Sequence, residues 1–173
     1  MRHDRLALAC LACLFCIQFL RRRRDCGQSR DPLRLAQITV IRIIERKTRF
    51  LIMERLTRGK NAEEVAKTVI RLLKPLKKHV KSITTDNGGE FAKHKLISRK
   101  LHTSVYFTDP YSSWQKGTVE NTNKLIRQYI PKTMNINQLS YNKLLSIQYL
   151  LNQRPRKSLL FKSPLSLFYN FAC

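Results

Sequence analysis

Two carboxylates stand out in a chain otherwise dominated by cations. Asp86 sits in the word TTDNGGEF (84–91), and Glu120 follows 34 positions later in GTVENTN (117–123). Paired carboxylates suit a hard divalent cation such as Mg2+, which prefers oxygen ligands, keeps several waters and completes its shell with phosphate oxygens. Two such ions can activate an attacking oxygen and stabilise a leaving one at a phosphodiester. The ordinary reading of the same residues is that Asp86 starts an Asx-type turn and Glu120 favours a helix N-terminus. The pair alone does not choose between the two.

Both residues need rigid elements behind them. VKSITTD (80–86) reads as a short strand with Asp86 at its carboxyl end, and Asn87-Gly88-Gly89 supplies a permissive turn. TVENTNKLIRQYI (118–130) reads as a helix with Glu120 in its first turn. Upstream, QITVIRIIERKTRFLIMERL (37–56) predicts two strands joined by a polar turn at ERKT. In RGKNAEEVAKTVIRLLKPL (58–76), Asn61 caps a helix and Glu64 completes a capping box. Val65, Val69, Leu72, Leu73 and Leu76 fall on one helical face, and Pro75 ends the helix.

EFAKHKLISRKL (90–101) predicts a further helix, TSVYFTD (103–109) a strand and PYSSWQKG (110–117) a loop. SYNKLLSIQYLLNQRP (140–155) is the last predicted helix, capped by Ser140 and stopped at Pro155. The order β-β-α-β-α-β-α-α implies a mixed α/β sheet with helices on its faces. Sites in open α/β sheets lie at the carboxyl ends of strands, which is where Asp86 is predicted. The two carboxylates are therefore expected to converge in a basic groove.

The charge balance says what that groove faces. Lys+Arg number 34 against 11 Asp+Glu, a formal net charge of +23 over 173 residues. Such an excess suits a polyanion, most often nucleic acid. After Glu120 there is no acidic residue, yet Lys124, Arg127, Lys132, Lys143, Arg154, Arg156, Lys157 and Lys162 follow. Apolar residues make up 43%, which excludes a chain disordered by composition and leaves room for one domain with one sizeable core.

The first residues read differently. LALACLACLFCIQFL (6–20) is apolar and RRRR (21–24) follows it. The arginines stand where a signal-peptide cleavage site would be, and the run is short for a membrane span. Cys10, Cys13, Cys16 and Cys26 lie here, but the C-x-x-C-x-x-C spacing lacks the fourth ligand and proline of a ferredoxin pattern. The bland reading is a Cys-rich apolar segment without selected chemistry. An odd cysteine count in a basic chain also argues against a secreted disulfide scaffold.

Three words change the weight of the carboxylate pair: TTDNGGEF, VYFTDPYSSWQKGTVENTNKLIRQYIPK and LNQRPRKSLLFKSPLSLF. Together, over roughly residues 38–169, they closely resemble DDE transposases and retroviral-type integrases, above all the IS-thirty family of bacterial insertion-sequence transposases. The resemblance implies an RNase H-like fold and a DDE-type polynucleotidyl transferase. It implies Mg2+-dependent cleavage at transposon ends (Mn2+ as the substitute) and joining of a 3′-hydroxyl to target DNA. Asp86 and Glu120 take the second and third carboxylate roles and the metal-ligand roles. Trp114, Gln115, Lys116, Asn121, Lys124, Arg127, Arg154, Arg156 and Lys157 are the expected DNA contacts. Trp114 has an alternative reading as a hydrophobic anchor, and the basic residues one as a solvated face. Transposon and target DNA are the implied partners, with a homo-oligomer, no membrane partner and a bacterial cytoplasmic, nucleoid-associated location.

One part of the family pattern is missing. The first carboxylate belongs to a W-E-x-D word on the opening strand, and FLRRRRDCGQSRDPLRLA (19–36) has none. Asp25 is the nearest candidate by position and Asp31 the second. The first strand is therefore expected to be missing or degenerate. Residues 1–34 are expected outside the fold, and 35–173 are expected to form the catalytic core. A truncated or frame-disrupted copy, impaired in catalysis, accounts for this pattern. The alternatives are a non-catalytic DNA-binding remnant and, on residues 6–20 alone, a membrane-anchored basic protein.

Overall fold

The strand at the centre of the sheet comes from the segment expected to lie outside the fold. The computed structural model describes residues 13–20, 39–108, 117–131, 133–134 and 136–172. Within it, β1 (Cys13–Leu20), β2 (Thr39–Glu45), β3 (Leu51–Leu56), β4 (Val80–Thr85) and β5 (Ser104–Phe107) form one five-stranded sheet in the order β3-β2-β1-β4-β5. β1 pairs antiparallel with β2 and parallel with β4; β2 and β3 are antiparallel, and β4 and β5 parallel. The first strand is thus present, a correction to both the domain boundary and the expectation of a missing strand. Phe15, Cys16, Ile17 and Phe19 are buried in it. A strand covered on both faces shows a continuous apolar run rather than alternation, which is why this segment imitates a leader or an anchor.

Among the described residues five α-helices cover the sheet. α1 is Ala62–Leu73, α2 His94–Leu101, α3 Gly117–Tyr129, α4 Tyr141–Gln153 and α5 Pro164–Ala172. On one face Phe15, Ile17, Phe19, Ile41 and Ile43 pack with Val65, Ala66 and Val69 of α1 and Ile97 and Leu101 of α2. On the other, Cys16, Val40, Ile44 and Met53 pack with Ile126 of α3 and Leu144, Ile147 and Leu151 of α4. Each fully buried aliphatic side chain contributes roughly 1.5–3 kcal/mol. The architecture is the RNase H-like mixed sheet flanked by helices. Among the described residues no helix is long and apolar enough to cross a membrane.

Local signals explain most boundaries. The Asn61 side chain caps α1 by accepting the amide of Glu63 at 3.1 Å, and Pro75 lies in the 3-10 turn that ends the helix. Ser140 caps α4 through the amide of Lys143 at 3.2 Å. α5 is an addition to the sequence reading. Ser163 accepts the amide of Ser166 at 3.2 Å and Pro164 opens the helix, so a start signal does stand in the sequence. α5 is held where Phe168 stacks on Phe50 at 4.1 Å.

β3 is an edge strand, and α4 seals it. Asn152, 2% exposed, accepts the Leu51 amide at 2.9 Å and donates to the Leu51 carbonyl at 2.8 Å. One turn earlier, Gln148 accepts the Met53 amide at 2.6 Å. The two amide side chains take the place of a neighbouring strand. Asn152→Leu is expected to strand both Leu51 groups and to cost about 2–4 kcal/mol, read as a lower urea midpoint with unchanged m-value.

Candidate active-site groove

The groove exists because two neighbouring strands part company. β1 and β4 stay in register as far as Ile17 and Thr85, and Asp86 follows immediately. β1 continues to Leu20, still paired with β2, so the parallel ladder opens beside Asp86. The resulting cavity, about 570 Å3, is lined by Gln18, Phe19, Arg42, Asp86, Asn123, Lys124 and Arg127. The turn after Asp86 does not use a left-handed backbone at Gly88. Gly88 has φ −103°, and a Cβ there would meet the Glu90 carboxylate at 2.6 Å. Space for that side chain is what the glycine provides.

Arg42 holds the floor of the groove. Its Cα faces that of Gln18 across the β1–β2 ladder. Only 3% of it is exposed. Nη2 donates to the Phe19 carbonyl at 2.6 Å, and Nη1 donates to Asn123 Oδ1 on α3. The Phe19 carbonyl lies past the end of the β1–β4 pairing, so the guanidinium serves it where β4 has turned away. Burial, with repulsion from Arg127, pulls the Arg42 pKa down to about 10, while Cys16 and Asp86 act in the opposite sense. The group stays charged at neutral pH. Burial also lowers the pKa of Arg127.

α3 supplies the opposite wall. Glu120, Asn123, Lys124 and Arg127 recur at helical spacing and share one face. Asn123, Lys124 and Arg127 line the groove, and Glu120 lies exposed one turn nearer the N-terminus. Asn123, Gln18 and Arg42 were missed by the sequence reading. For Asn123 the signal was available, three residues after Glu120. For Gln18 and Arg42 it was not, because each is a polar residue inside an apolar run.

The remaining sequence candidates divide. Asp25, Asp31, Trp114, Gln115, Lys116 and Lys132 lie outside the described residues. Asn121, Arg154 and Lys157 are exposed, and Arg154 donates to Gln128 of α3 at 3.1 Å. Arg156 is a correction. It is 8% exposed, its Nη2 donates to the Leu151 carbonyl at 3.3 Å, and burial beside Arg49 and Arg154 lowers its pKa to about 10. It packs under the chain instead of facing DNA. Arg156→Ala is expected to lower stability by about 1–3 kcal/mol in urea denaturation without changing the salt dependence of DNA binding.

A divalent ion does not fit the donor set that the described residues present. Three cations and one carboxylate line the groove. Gln18, lining the same groove as Asp86, offers a neutral amide, and the buried Arg42 guanidinium already places a positive charge there. Among the described residues no three His, Cys, Asp or Glu gather into a metal-binding group.

The fold and these words agree with what the chain is similar to. The integrase core domain family matches residues 9–113, a span that includes β1. A transposase for insertion sequence element IS4351 from Bacteroides fragilis is 42% identical over 125 residues, covering 72% of this chain and 38% of that protein. Transposase InsI for insertion sequence element IS30A from Escherichia coli (strain K12) is 42% identical over 123 residues, covering 70% of this chain and 32% of that protein. The chain thus spans less than two fifths of the length of these curated relatives. The crystal structure of the catalytic core domain of BIV integrase superposes with a TM-score of 0.65 at 14% identity, covering 92% of this chain and 95% of that one. That likeness carries the fold. The family generally uses divalent metals and acts on DNA. With its central strand inside the matched span and both of these relatives being transposases, the chain belongs to the integrase core domain family.

Proposed function

We propose that this chain is the DNA-binding core of an IS-thirty-type transposase that engages the DNA backbone through the α3 groove and cuts and joins strands poorly or not at all. The observation that carries this reading is the single face of α3 on which Glu120 precedes Asn123, Lys124 and Arg127, opposite Asp86 across one groove. Lys124 and Arg127 take phosphate, and Asn123 is held by Arg42. Asp86 and Glu120 take the carboxylate roles in this reading, and Gln18 and Arg42 line the groove without adding negative charge.

Transposon ends and target DNA are the proposed substrates, in the bacterial cytoplasm at the nucleoid, with a homo-oligomer as the working form. Lys124→Ala with Arg127→Ala tests the reading. The pair is expected to weaken binding to duplexes of unrelated sequence alike and to reduce the salt slope by about two. Unchanged affinity and slope would refute the assignment of α3 as the DNA wall.

A further inference from the structure

Asp86, Gln18 and Arg42 line one groove together. Gln18 and Arg42 are cross-strand partners, and Asp86 follows directly on Thr85, the last β4 residue paired with β1. The three comprise one negative, one neutral and one positive side chain. A divalent cation brought to Asp86 would meet the Arg42 charge in a buried setting, where screening by water is weak. It would also meet Lys124 and Arg127 from the opposite wall. The protein has placed a fixed cation where a mobile one would neutralise the carboxylate.

Resting on the DNA-binding reading above, we propose that Arg42 serves as the built-in counter-ion of this groove, so that nucleic-acid phosphate is taken directly by Lys124 and Arg127 with no bridging divalent ion. Three features support it. Arg42 is locked from two sides, by the Phe19 carbonyl and by Asn123, so its charge does not swing out to solvent. Asn123 belongs to the same helix as the phosphate-facing cations, so Arg42 also fixes the distance of that helix from β1. Gln18 carries donors and an acceptor but no charge, so it adds no anionic ligand to the groove. Arg42 is a positioning residue in this account, and Lys124 and Arg127 are the groups that touch phosphate.

The test uses the full chain, with Mn2+ as the metal probe and a duplex of arbitrary sequence as the phosphate probe. The wild-type chain is expected to show no Mn2+-dependent rise in Tm, and a DNA affinity in millimolar Mn2+ no higher than in EDTA, since Mn2+ then acts only as a competing counterion of DNA. Gln18→Asp combined with Arg42→Thr is expected to gain a Mn2+-dependent rise in Tm and an affinity that drops when EDTA is added. Arg42→Lys keeps the charge and is expected to remain insensitive to Mn2+. A wild-type Tm that rises with Mn2+ and loses that rise in Asp86→Asn overturns the proposal. So does a folded double variant that still ignores Mn2+, or wild-type binding that collapses in EDTA. If the double variant does not fold, the wild-type Mn2+ titration decides the question by itself. Absence of DNA binding under every condition sinks the DNA-binding reading and with it the phosphate half of this proposal. The Mn2+ titration, which needs no DNA, still decides the counter-ion half.

Discussion

Binding to duplex DNA is expected to weaken by about three orders of magnitude when monovalent salt rises from about 50 to about 200 mM. The basis is a count of available cations downstream of Glu120. Lys124, Lys143, Arg154, Lys157 and Lys162 are exposed, and Arg127 is half-buried at the groove. If each neutralises one phosphate, released counterions give a log–log slope of about −5, and a fourfold rise in salt then costs about a thousandfold in affinity. Sequence should matter little, because phosphate contacts position a protein without reading bases. Fluorescence anisotropy with two unrelated duplexes, titrated over salt, checks both statements. A slope near zero would leave the basic surface without a nucleic-acid role. A slope of about −5 on one duplex alone would replace backbone binding with base readout.

Strand transfer is expected to stay at background with either Mg2+ or Mn2+. In-line attack requires its groups to be held closely, and a misplacement of about 1 Å costs on the order of a hundredfold in rate. Here β1 contributes Gln18 to the groove that Asp86 lines, and the buried Arg42 guanidinium adds a positive charge. The assay is joining of a duplex that carries the element's own ends to a second DNA, with Glu120→Gln as control. Robust joining that the control abolishes would show a complete site that the groove does not reveal. If Asp25→Asn then also abolished joining, Asp25 would be the missing carboxylate. Restoring charge by Gln18→Asp with Arg42→Thr is expected to raise joining above the wild-type level.

How much of this was legible in advance depended on whether a residue's role left a local trace. The strand ending at Asp86, the Asn61 and Ser140 caps and the helix carrying Glu120 all announce themselves through turn chemistry and periodicity. β1 did not, because a strand buried on both faces has no polar alternation, and the apolar run of residues 6–20 that contains it imitated a leader or an anchor. α5 was missed although Ser163-Pro164 marked its start. Arg156 looked like a surface cation, since nothing in a run of arginines and lysines tells which one turns inward to the Leu151 carbonyl. Gln18 and Arg42 acquire meaning only from the β1–β2 register, and register between strands separated by a long connection is a tertiary fact. The loop carrying Trp114, Gln115 and Lys116 falls outside the described residues, so those three remain candidates on sequence alone.

The amide clamp on β3 constrains how the chain can be made. Leu51 emerges during synthesis 101 residues before Asn152, which completes its hydrogen bonds. At roughly 5–20 residues per second, the strand waits about 5–20 s with its outer edge open. An open edge is a template for pairing with any other unfinished chain on a neighbouring ribosome. Crowded polysomes on a strongly expressed message would bring several such edges together at once. Yield of the folded protein should therefore depend on translation speed and on chaperones that shield nascent strands, and a chain released before α4 should be recovered as aggregate.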